Sequence, residues 1–218
     1  MKIIECEQGS LDWLKARLGI PTASCFDKIV TAAGKESAAS DGYLASLAAE
    51  WWLGQPCDDF QSGFMERGSL LEEEAVADYA FEVNAEPVKV GLCLTDDGRA
   101  GASPDRLVGT DGLWEIKVPS AAKHMAMVLG TPPKEYFVQV QGQLWVTGRE
   151  WCELVCFHPT FPRVVRRYVR DEEFIESLAK HLGNFCDRLD AVKERFAGAK
   201  AEYDATREAA EWEAQASM

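Results

Sequence analysis

The spacing of apolar residues predicts that the first third of the chain is helical. The segment "SLDWLKARLG" carries apolar residues at Leu11, Leu14 and Leu18, which is the spacing of one helix face. The segment "SCFDKIVTAA" begins with the S-x-x-D pattern of a helix N-terminus, at Ser24 and Asp27. The next segment, "DGYLASLAAEWWLG", is apolar on several sides, so we expect a third helix there.

The middle of the chain is predicted to be rich in strands. Five β-rich segments bounded by Gly or Pro predict them: "PVKVGLCLT", "DRLVG", "GLWEIKV", "WCELVCF" and "RVVRRYV". Two predicted helices, "SAAKHMAMVLG" and "PKEYFVQVQGQLWVTG", interrupt the strands, although "FVQVQ" within the second also alternates like a strand. This order of elements predicts an α/β fold, with a mixed central sheet flanked by helices on both faces.

Length and composition favour one domain with a sizeable core. The chain has 218 residues, of which 47% are hydrophobic. We expect residues 1–197 to form a single domain and the Ala- and Glu-rich residues 198–218 to form an acidic helix or tail. No apolar run approaches the roughly 18 residues of a membrane span, and "MKIIECEQGS" lacks the pattern of a signal peptide. We therefore expect a soluble, cytoplasmic protein without a membrane partner.

The seven cysteines and the net charge limit the function classes. The odd number of cysteines and the lack of a C-x-x-C pair predict reduced, buried thiols, not disulfides or a zinc site. The formal net charge of -13 argues against a broad electrostatic grip on nucleic acid, but it does not exclude a local one. The segment "PRVVRRYVR" is either a local positive patch or the solvated face of a strand; its arginines are Arg163, Arg166, Arg167 and Arg170.

A predicted hairpin, "GASPDRLVGTDGLWEIKVP", carries the first candidate chemistry. The turn sequence "GTDG" places Asp105 at the start of one strand, with Glu115 and Lys117 on the same face of the next. An ordinary amphipathic strand would look the same. Two carboxylates and the Ile116 carbonyl could, however, hold Mg²⁺, while a nearby ammonium orients a water. This set of groups is typical of a metal-dependent nuclease.

A third carboxylate comes from the predicted helix "RGSLLEEEAVADYAF". Glu72 falls inside the apolar arc of this helix, whereas its neighbours Glu73, Glu74 and Asp78 fall outside it and should be solvated. A carboxylate on a core-facing arc needs a partner. Either a metal ion or a Lys or Arg side chain would serve.

Two residues near the start of the chain are candidates for binding an anion. Ser24 lies at a predicted helix N-terminus, which favours a phosphate, and Arg17 could add a bidentate charge. The alternative is an ordinary helix cap beside a surface arginine.

Four segments in this order resemble the bacteriophage lambda exonuclease family, the viral recombinase branch of the PD-(D/E)xK nucleases. They are "EQGSLDWLKARLGIPTAS", "RGSLLEEEA", "SPDRL…LWEIKVP" and "YFVQVQGQLWVTG". The resemblance implies a restriction-endonuclease-like fold. It also implies digestion of one strand of duplex DNA from a 5′-phosphorylated end, in the 5′→3′ direction and processively, to mononucleotides and a 3′ single strand.

The resemblance also implies roles for individual residues. Two Mg²⁺ ions, for which Mn²⁺ would be a plausible substitute, are expected at Glu72, Asp105, Glu115 and the Ile116 carbonyl, with Lys117 activating the attacking water. A pocket for the DNA 5′-phosphate is expected from Arg17, Ser24, Ser103 and Gln139. Gln139 is also expected among the catalytic residues with Asp105, Glu115 and Lys117, and it matches the motif glutamine better than Gln141 does. Met65 is expected to wedge the duplex end, and Lys35 to contact DNA from a loop.

The partners that the resemblance implies are double-stranded DNA ends, a homotrimeric ring around DNA and a phage-type single-strand annealing protein. Two alternatives remain open at this point. The chain could be another PD-(D/E)xK nuclease, such as a RecB-like or nicking enzyme. It could also be a non-catalytic module that binds DNA or an annealing protein.

Overall fold

The computed structural model describes the backbone of residues 1–57 and 62–216, and the side chains of residues 1–57 and 71–208. The helices are α1 (Leu11–Arg17), a 3-10 helix (Ala23–Lys28), α2 (Ser40–Leu53), α3 (Ser62–Val83), α4 (Ala121–Val128), α5 (Lys134–Thr147) and α6 (Glu172–Ala216). The strands are β1 (Lys2–Ile4), β2 (Leu92–Leu94), β3 (Gly101–Ala102), β4 (Arg106–Val108), β5 (Gly112–Lys117), β6 (Trp151–Cys156) and β7 (Val164–Val169).

The strands form two sheets. The smaller is antiparallel, in the order β1-β2-β3. The larger has the order β4-β5-β6-β7 and is mixed, because β5 and β6 run parallel while the outer pairs are antiparallel. The α/β prediction with a mixed sheet flanked by helices is confirmed, although the strands fall into two sheets where one was expected.

The larger sheet is covered on both faces. Trp114 and Ile116 of β5 pack against α3, in a cluster with Ala75, Val76 and Tyr79. Leu113 of the same strand faces the other way and packs against Val140 and Leu144 of α5. Because side chains alternate along a strand, Glu115 and Lys117 lie on the same face as Leu113 and point towards α5. The strand β5 is therefore covered on both faces and is not an amphipathic strand with one solvated face.

The helix predicted at "SCFDKIVTAA" differs from the expectation. Residues 23–28 form a 3-10 helix whose N-cap is Thr22, without a side-chain cap bond, so the S-x-x-D cap predicted at Ser24 and Asp27 is wrong. The cause lies in the preceding residues, since Thr22 is extended and bridges Gly101 of β3. This bridge keeps the backbone out of helical geometry up to Thr22, and Ser24 lies one residue inside the helix.

Other elements fall mostly where the apolar pattern places them. The segment "FVQVQ" is helical, as part of α5. The first helix buries Trp13, whereas Leu11 of the predicted apolar face is exposed. The segment 198–218 was predicted as an acidic helix or tail, and its described part is the end of α6, a helix of 45 residues. Within the described residues, no helix has the length and apolarity to cross a membrane.

The structure shows the surroundings of the cysteines and of the arginine-rich segment. Four of the seven cysteines are buried, namely Cys93, Cys152, Cys156 and Cys186, and the cysteines of the described residues form no disulfide. Just before β7, Arg163 pairs with Asp78 and Glu82. Arg167 of β7 pairs with Glu153, and Arg170, just after the strand, pairs with Glu172, so three of the four arginines of this segment are ion-paired.

A glycine allows the 3-10 helix to approach α5 closely. A Cβ atom at Gly142 would lie 2.5 Å from the ring of Phe26 in the 3-10 helix, which is closer than packed atoms can stand. Gly142 thereby brings the Ser24 region against the helix that carries Gln139.

Candidate active site

The hairpin β4–β5 places Asp105 beside the middle of β5. Arg106, the first residue of β4, is paired with Trp114 across the strands, so Asp105 lies just before the first pair of β4. Its Oδ2 accepts a hydrogen bond from the Ile116 N–H at 2.6 Å. Because the N–H and C=O of one strand residue point to the same side of the strand, the Ile116 carbonyl also points to the Asp105 side.

Glu115 is buried, with 3% exposure, and is held by three donors. Its Oε1 accepts from Gln139 Nε2 at 2.6 Å and lies 2.7 Å from Lys117 Nζ. Its Oε2 accepts from Gln143 Nε2, also at 2.6 Å. Residues 139 and 143 are four apart on α5 and so project from one face of that helix. The helix therefore fixes both oxygens of the carboxylate.

Lys117 remains protonated in this environment. Burial lowers the pKa of its ammonium, but the charges of Glu115 and Asp105 and the hydrogen bond to Glu115 raise it by more, so the net pKa lies above the ordinary value. Lys117 Nζ also donates to Gln139 Oε1 at 2.9 Å and stands 5.2 Å above the Tyr136 ring. The ammonium is thus positioned by three neighbours beside the carboxylates.

The surroundings of Asp105 and Glu72 make the ionised form of each carboxyl energetically unfavourable. Burial, followed by the charges of Glu115 and Glu72, raises the pKa of Asp105 well above its ordinary value. Burial also raises the pKa of Glu72, and the charge of Glu115 adds to this rise, while Arg106 opposes it. The three carboxylates therefore sense one another electrostatically. We call Glu72, Asp105, Glu115 and Lys117 the acidic cluster.

Arg106 is a partner of the acidic cluster that the sequence analysis missed. Its side chain is only 5% exposed, and its guanidinium lies 3.4 Å from Glu72 and 2.8 Å from Glu73. It also donates to the Asp105 carbonyl at 2.6 Å. Of the two partners expected for Glu72, the structure shows the arginine, and Glu73 is exposed, as predicted, as well as ion-paired.

The donor chemistry of the acidic cluster fits a hard divalent cation. Carboxylate oxygens and a peptide carbonyl are the ligands that Mg²⁺ prefers, and a cation would relieve the mutual repulsion that raises the pKa of Asp105. Among the described residues, no three Asp, Glu, His or Cys side chains already stand at ligand distances from a common point. The oxygens of Asp105 and Glu115 accept the hydrogen bonds given above, and an ion would bind through the lone pairs that these bonds leave free.

A second polar group surrounds Arg17. The Arg17 guanidinium donates to Thr22 Oγ1 at 3.0 Å and lies 3.5 Å from Ser24 Oγ. It stacks over the Trp13 ring at 3.9 Å, and Trp13 Nε1 donates to Ser103 Oγ at 2.9 Å. The structure therefore brings together the predicted residues Arg17, Ser24 and Ser103. With Trp13 and Thr22, we call them the Arg17 cluster.

The Arg17 cluster borders a pocket and has unsatisfied positive charge. The pocket has a volume of about 190 Å³ and is lined by Trp13, Arg17, Thr22 and Glu50 among others. Burial lowers the pKa of Arg17, and the charge of Glu50 in the same pocket acts against this, although no carboxylate of the described residues lies at ion-pair distance. A half-buried cation whose direct contacts are hydroxyls and an aromatic ring is suited to an anionic ligand.

The two clusters are joined by a short stretch of backbone. Ser103 of the Arg17 cluster is two residues from Asp105 of the acidic cluster. Gln8 fixes this connection by donating from one amide nitrogen to the carbonyls of Val90 and Pro104, both at 2.9 Å.

Comparison with protein-family models matches residues 12–150 to the YqaJ-like viral recombinase domain. The chain belongs to this viral recombinase family. The resemblance to the lambda exonuclease family drawn from the four sequence segments is therefore confirmed. A comparison with curated proteins gives no match.

Solved structures agree with the family. The alkaline exonuclease LHK-Exo from Laribacter hongkongensis is 32% identical, with a TM-score of 0.77, over 89% of this chain and 100% of that chain. A second LHK-Exo structure, in complex with dAMP, is 31% identical over 87% and 98% of the two chains, with a TM-score of 0.77. A phage-related exonuclease from Haemophilus somnus 129PT, at 15% identity and a TM-score of 0.62 over 81% and 96%, shares the fold. Family and neighbours support a hydrolase of the nuclease class.

Two of the predicted site residues, Gln139 and Lys35, stand apart from the Arg17 cluster. Gln139, expected in the phosphate pocket, contacts Glu115 and Lys117 of the acidic cluster. Lys35 is exposed, on a turn closed by the Thr31 N–H to the Lys35 carbonyl at 2.7 Å, and its contacts are with that turn. The side chain of Met65 lies outside the described residues.

Two residues of the site, Gln143 and Arg106, were not predicted, and the sequence contains a usable signal for only the first. Gln143 follows Gln139 by four positions on a predicted helix, so its place on the same face could have been predicted. Arg106 was visible only as the residue after Asp105, because its partners come from a distant helix. Gln141 bonds the Val169 carbonyl and the Asp171 N–H, which agrees with its exclusion from the site.

Proposed function

We propose that this chain is a Mg²⁺-dependent exonuclease that degrades linear double-stranded DNA processively from its 5′ ends. The products would be mononucleotides from the 5′-phosphorylated strand and a 3′ single strand. The observation that supports this most is the joining of two opposite charge environments, the acidic cluster and the Arg17 cluster, through residues 103–105. A cation site beside an anion site is what cleavage next to a terminal phosphate requires.

In this proposal, Glu72, Asp105, Glu115 and the Ile116 carbonyl hold two Mg²⁺ ions, and Mn²⁺ can substitute for them. The bound metal supplies charge neutralisation for the phosphodiester and lowers the pKa of a bound water. Arg106 keeps Glu72 close to Asp105 by contacting both residues.

Lys117 and Gln139 are assigned to the attacking water. Lys117 is protonated and lies beside Glu115, so its ammonium can orient the water and stabilise the negative charge that develops on the phosphate. Gln139 binds both residues at once, and its amide keeps the ammonium and the carboxylate in a fixed relation.

The Arg17 cluster is assigned to the DNA 5′-phosphate. Arg17 supplies the charge, and the hydroxyls of Ser24 and Ser103 supply hydrogen bonds. LHK-Exo is known in complex with dAMP, a deoxynucleoside monophosphate, which is the class of ligand proposed for this cluster and the adjoining centre. Gln139 would reach this phosphate from the acidic cluster, Met65 would separate the duplex end, and Lys35 would contact the DNA backbone.

The assembly and location are proposed with the activity. A homotrimeric ring in the cytoplasm of a bacterial or phage-infected cell would pass the 3′ strand to a phage-type annealing protein. The net charge of -13 is compatible with such a ring, because basic groups need line only its channel.

A comparison of linear with covalently closed circular DNA as substrates tests the proposal. Linear duplex with 5′-phosphates should yield mononucleotides in the presence of Mg²⁺, and covalently closed circles of the same sequence should stay intact. Cutting of the closed circles would favour a nicking or RecB-like nuclease. No Mg²⁺-dependent product from either DNA, with DNA binding retained, would favour a non-catalytic module.

A further inference from the structure

Gln143 is the donor to Glu115 that the proposed mechanism does not use. It lies one helical turn after Gln139 on α5 and is 1% exposed. Its Nε2 donates to Glu115 Oε2 at 2.6 Å, while Gln139 and Lys117 both engage Oε1. Gln143 is therefore the side chain that fixes the second oxygen of this carboxylate.

The other end of the Gln143 amide is left without a partner. Its Oε1 is buried, and the structure describes no hydrogen-bond donor to it. Buried carbonyl oxygens nearly always find a donor, because an unpaired one is costly. The opposite amide orientation would set this oxygen against Glu115 Oε2 and lose the hydrogen bond between the two residues. The orientation of the amide therefore keeps the bond to Glu115 and leaves its own oxygen without a donor.

This holding leaves the carboxylate able to bind an ion. Each carboxylate oxygen has two lone pairs, so the bond from Gln143 occupies only one acceptor site of Oε2. The donors on Oε1 and Oε2 together restrict rotation of the carboxylate plane. A carboxylate that is fixed before the ion arrives loses less conformational freedom on binding.

We propose that Gln143 is a positioning residue that orients Glu115 for the divalent metal ion. This inference rests on the proposed function, since it presupposes that Glu115 binds Mg²⁺ or Mn²⁺. It predicts that loss of the Gln143 amide lowers the free energy of metal binding by more than it lowers the free energy of unfolding.

Gln141 provides a matched control on the same helix. It is also 1% exposed, but it bonds the Val169 carbonyl at 2.8 Å and the Asp171 N–H at 2.9 Å, at the junction of β7 and α6. Gln143→Met and Gln141→Met remove the same amide from equally buried positions. Only the first removes a contact with Glu115.

The test measures Mn²⁺ binding by titration calorimetry and thermal unfolding in a chelator, for the full-length wild type and both variants. Gln143→Met should weaken Mn²⁺ binding about 10- to 100-fold, the usual effect of removing a hydrogen-bond partner of a metal ligand. Nuclease activity of this variant should recover towards the wild-type rate as Mn²⁺ is raised. Gln141→Met should lower the unfolding temperature and leave Mn²⁺ affinity unchanged.

Equal Mn²⁺ affinity in Gln143→Met and the wild type would overturn the inference while leaving the proposed function intact. A wild type that binds no Mn²⁺ and shows no metal-dependent activity would contradict the proposed function itself, and the inference with it. If the methionine variant does not fold, Gln143→Ser carries the same test, because serine is polar but too short to reach Glu115.

Discussion

The acidic cluster and the Arg17 cluster are both built from partly or fully buried charges, but they are organised in opposite ways. In the acidic cluster, donors from α5 and the backbone tie down Asp105 and Glu115. Burial, together with the negative charges of Glu115 and Glu72, nevertheless raises the pKa of Asp105 there. In the Arg17 cluster, one guanidinium is held by hydroxyls and an aromatic ring beside an open pocket.

The difference indicates what each cluster lacks. The acidic cluster is electrically incomplete without a cation, and the Arg17 cluster is incomplete without an anion. The substitutions of Lys117, Arg17 and Asp105 below each change one cluster and should leave the other working, so the results show whether the two clusters divide the task as proposed.

The largest effect is expected from Lys117→Ala. Loss of the ammonium removes the group assigned to the attacking water, and the rate of digestion should fall by about 10²- to 10⁴-fold. The folded-state pKa of Lys117 is raised, so the charged form stabilises the fold at neutral pH, and its loss should cost about 2 kcal/mol. Single-turnover digestion of linear duplex and circular dichroism measure the two effects. Lys123→Ala, on the exposed face of α4, is the control, and an active Lys117→Ala enzyme would disprove the assigned role.

Arg17→Ala should remove the preference for a 5′-phosphorylated end. A charge-assisted hydrogen-bond pair contributes about 1.5–3 kcal/mol, so digestion of the phosphorylated substrate should slow by roughly 10- to 100-fold. Digestion of the 5′-hydroxyl substrate should change little. Lys15→Ala, on the same helix but exposed, should retain the preference. Wild-type enzyme that digests both ends equally would show that the Arg17 cluster does not bind the phosphate.

Asp105→Asn should stabilise the metal-free protein, although it removes a proposed metal ligand. The amide retains an acceptor for the Ile116 N–H and removes a charge that is disfavoured by burial and by Glu115. We expect a gain of about 1 kcal/mol, or roughly 2–4 °C in unfolding temperature, measured in a chelator at pH 8.

The pH dependence of this gain follows from the raised pKa of Asp105. Protonation of Asp105 stabilises the wild type as pH falls through the folded-state pKa, so the advantage of the variant should shrink towards pH 4. Asp111→Asn, in the exposed turn of the same hairpin, should change the unfolding temperature little at any pH. A destabilised Asp105→Asn protein would contradict the excess of negative charge.

Lys35→Ala should have the smallest effect. An exposed lysine that contacts a DNA phosphate contributes about one unit to the slope of log affinity against log salt concentration. Binding to duplex DNA across a salt series should show this loss, with end preference and rate unchanged. Lys200→Ala, whose ammonium pairs with Asp204, is the comparison. An unchanged slope would remove Lys35 from the DNA contacts.

Sequence patterns predicted those elements whose conformation depends mainly on their own residues. The hairpin of Asp105 and Glu115 followed from a turn sequence and a period of two, and the structure places both carboxylates as that period requires. The strands β1 and β3 were not predicted, since they are only three and two residues long and depend on pairing with β2. Short segments carry too little periodicity to be distinguished from loops.

The partners of the site residues were harder to predict than the residues themselves. Glu72 was expected to need a cation, but the choice of Arg106 depends on α3 packing across the sheet, which no local pattern encodes. The cap predicted at Ser24 failed for a related reason, because a bridge to Gly101, far along the chain, fixes where the helix begins.

The polarity of digestion tests the central claim most directly. Linear duplex DNA, labelled at either the 5′ or the 3′ end of one 5′-phosphorylated strand, should be digested with Mg²⁺ and, in parallel, with a chelator. The proposal predicts immediate release of the 5′ label as a mononucleotide, late release of the 3′ label, and no release of either label in the chelator. Early release of the 3′ label, or digestion that continues without a divalent metal ion, would contradict it.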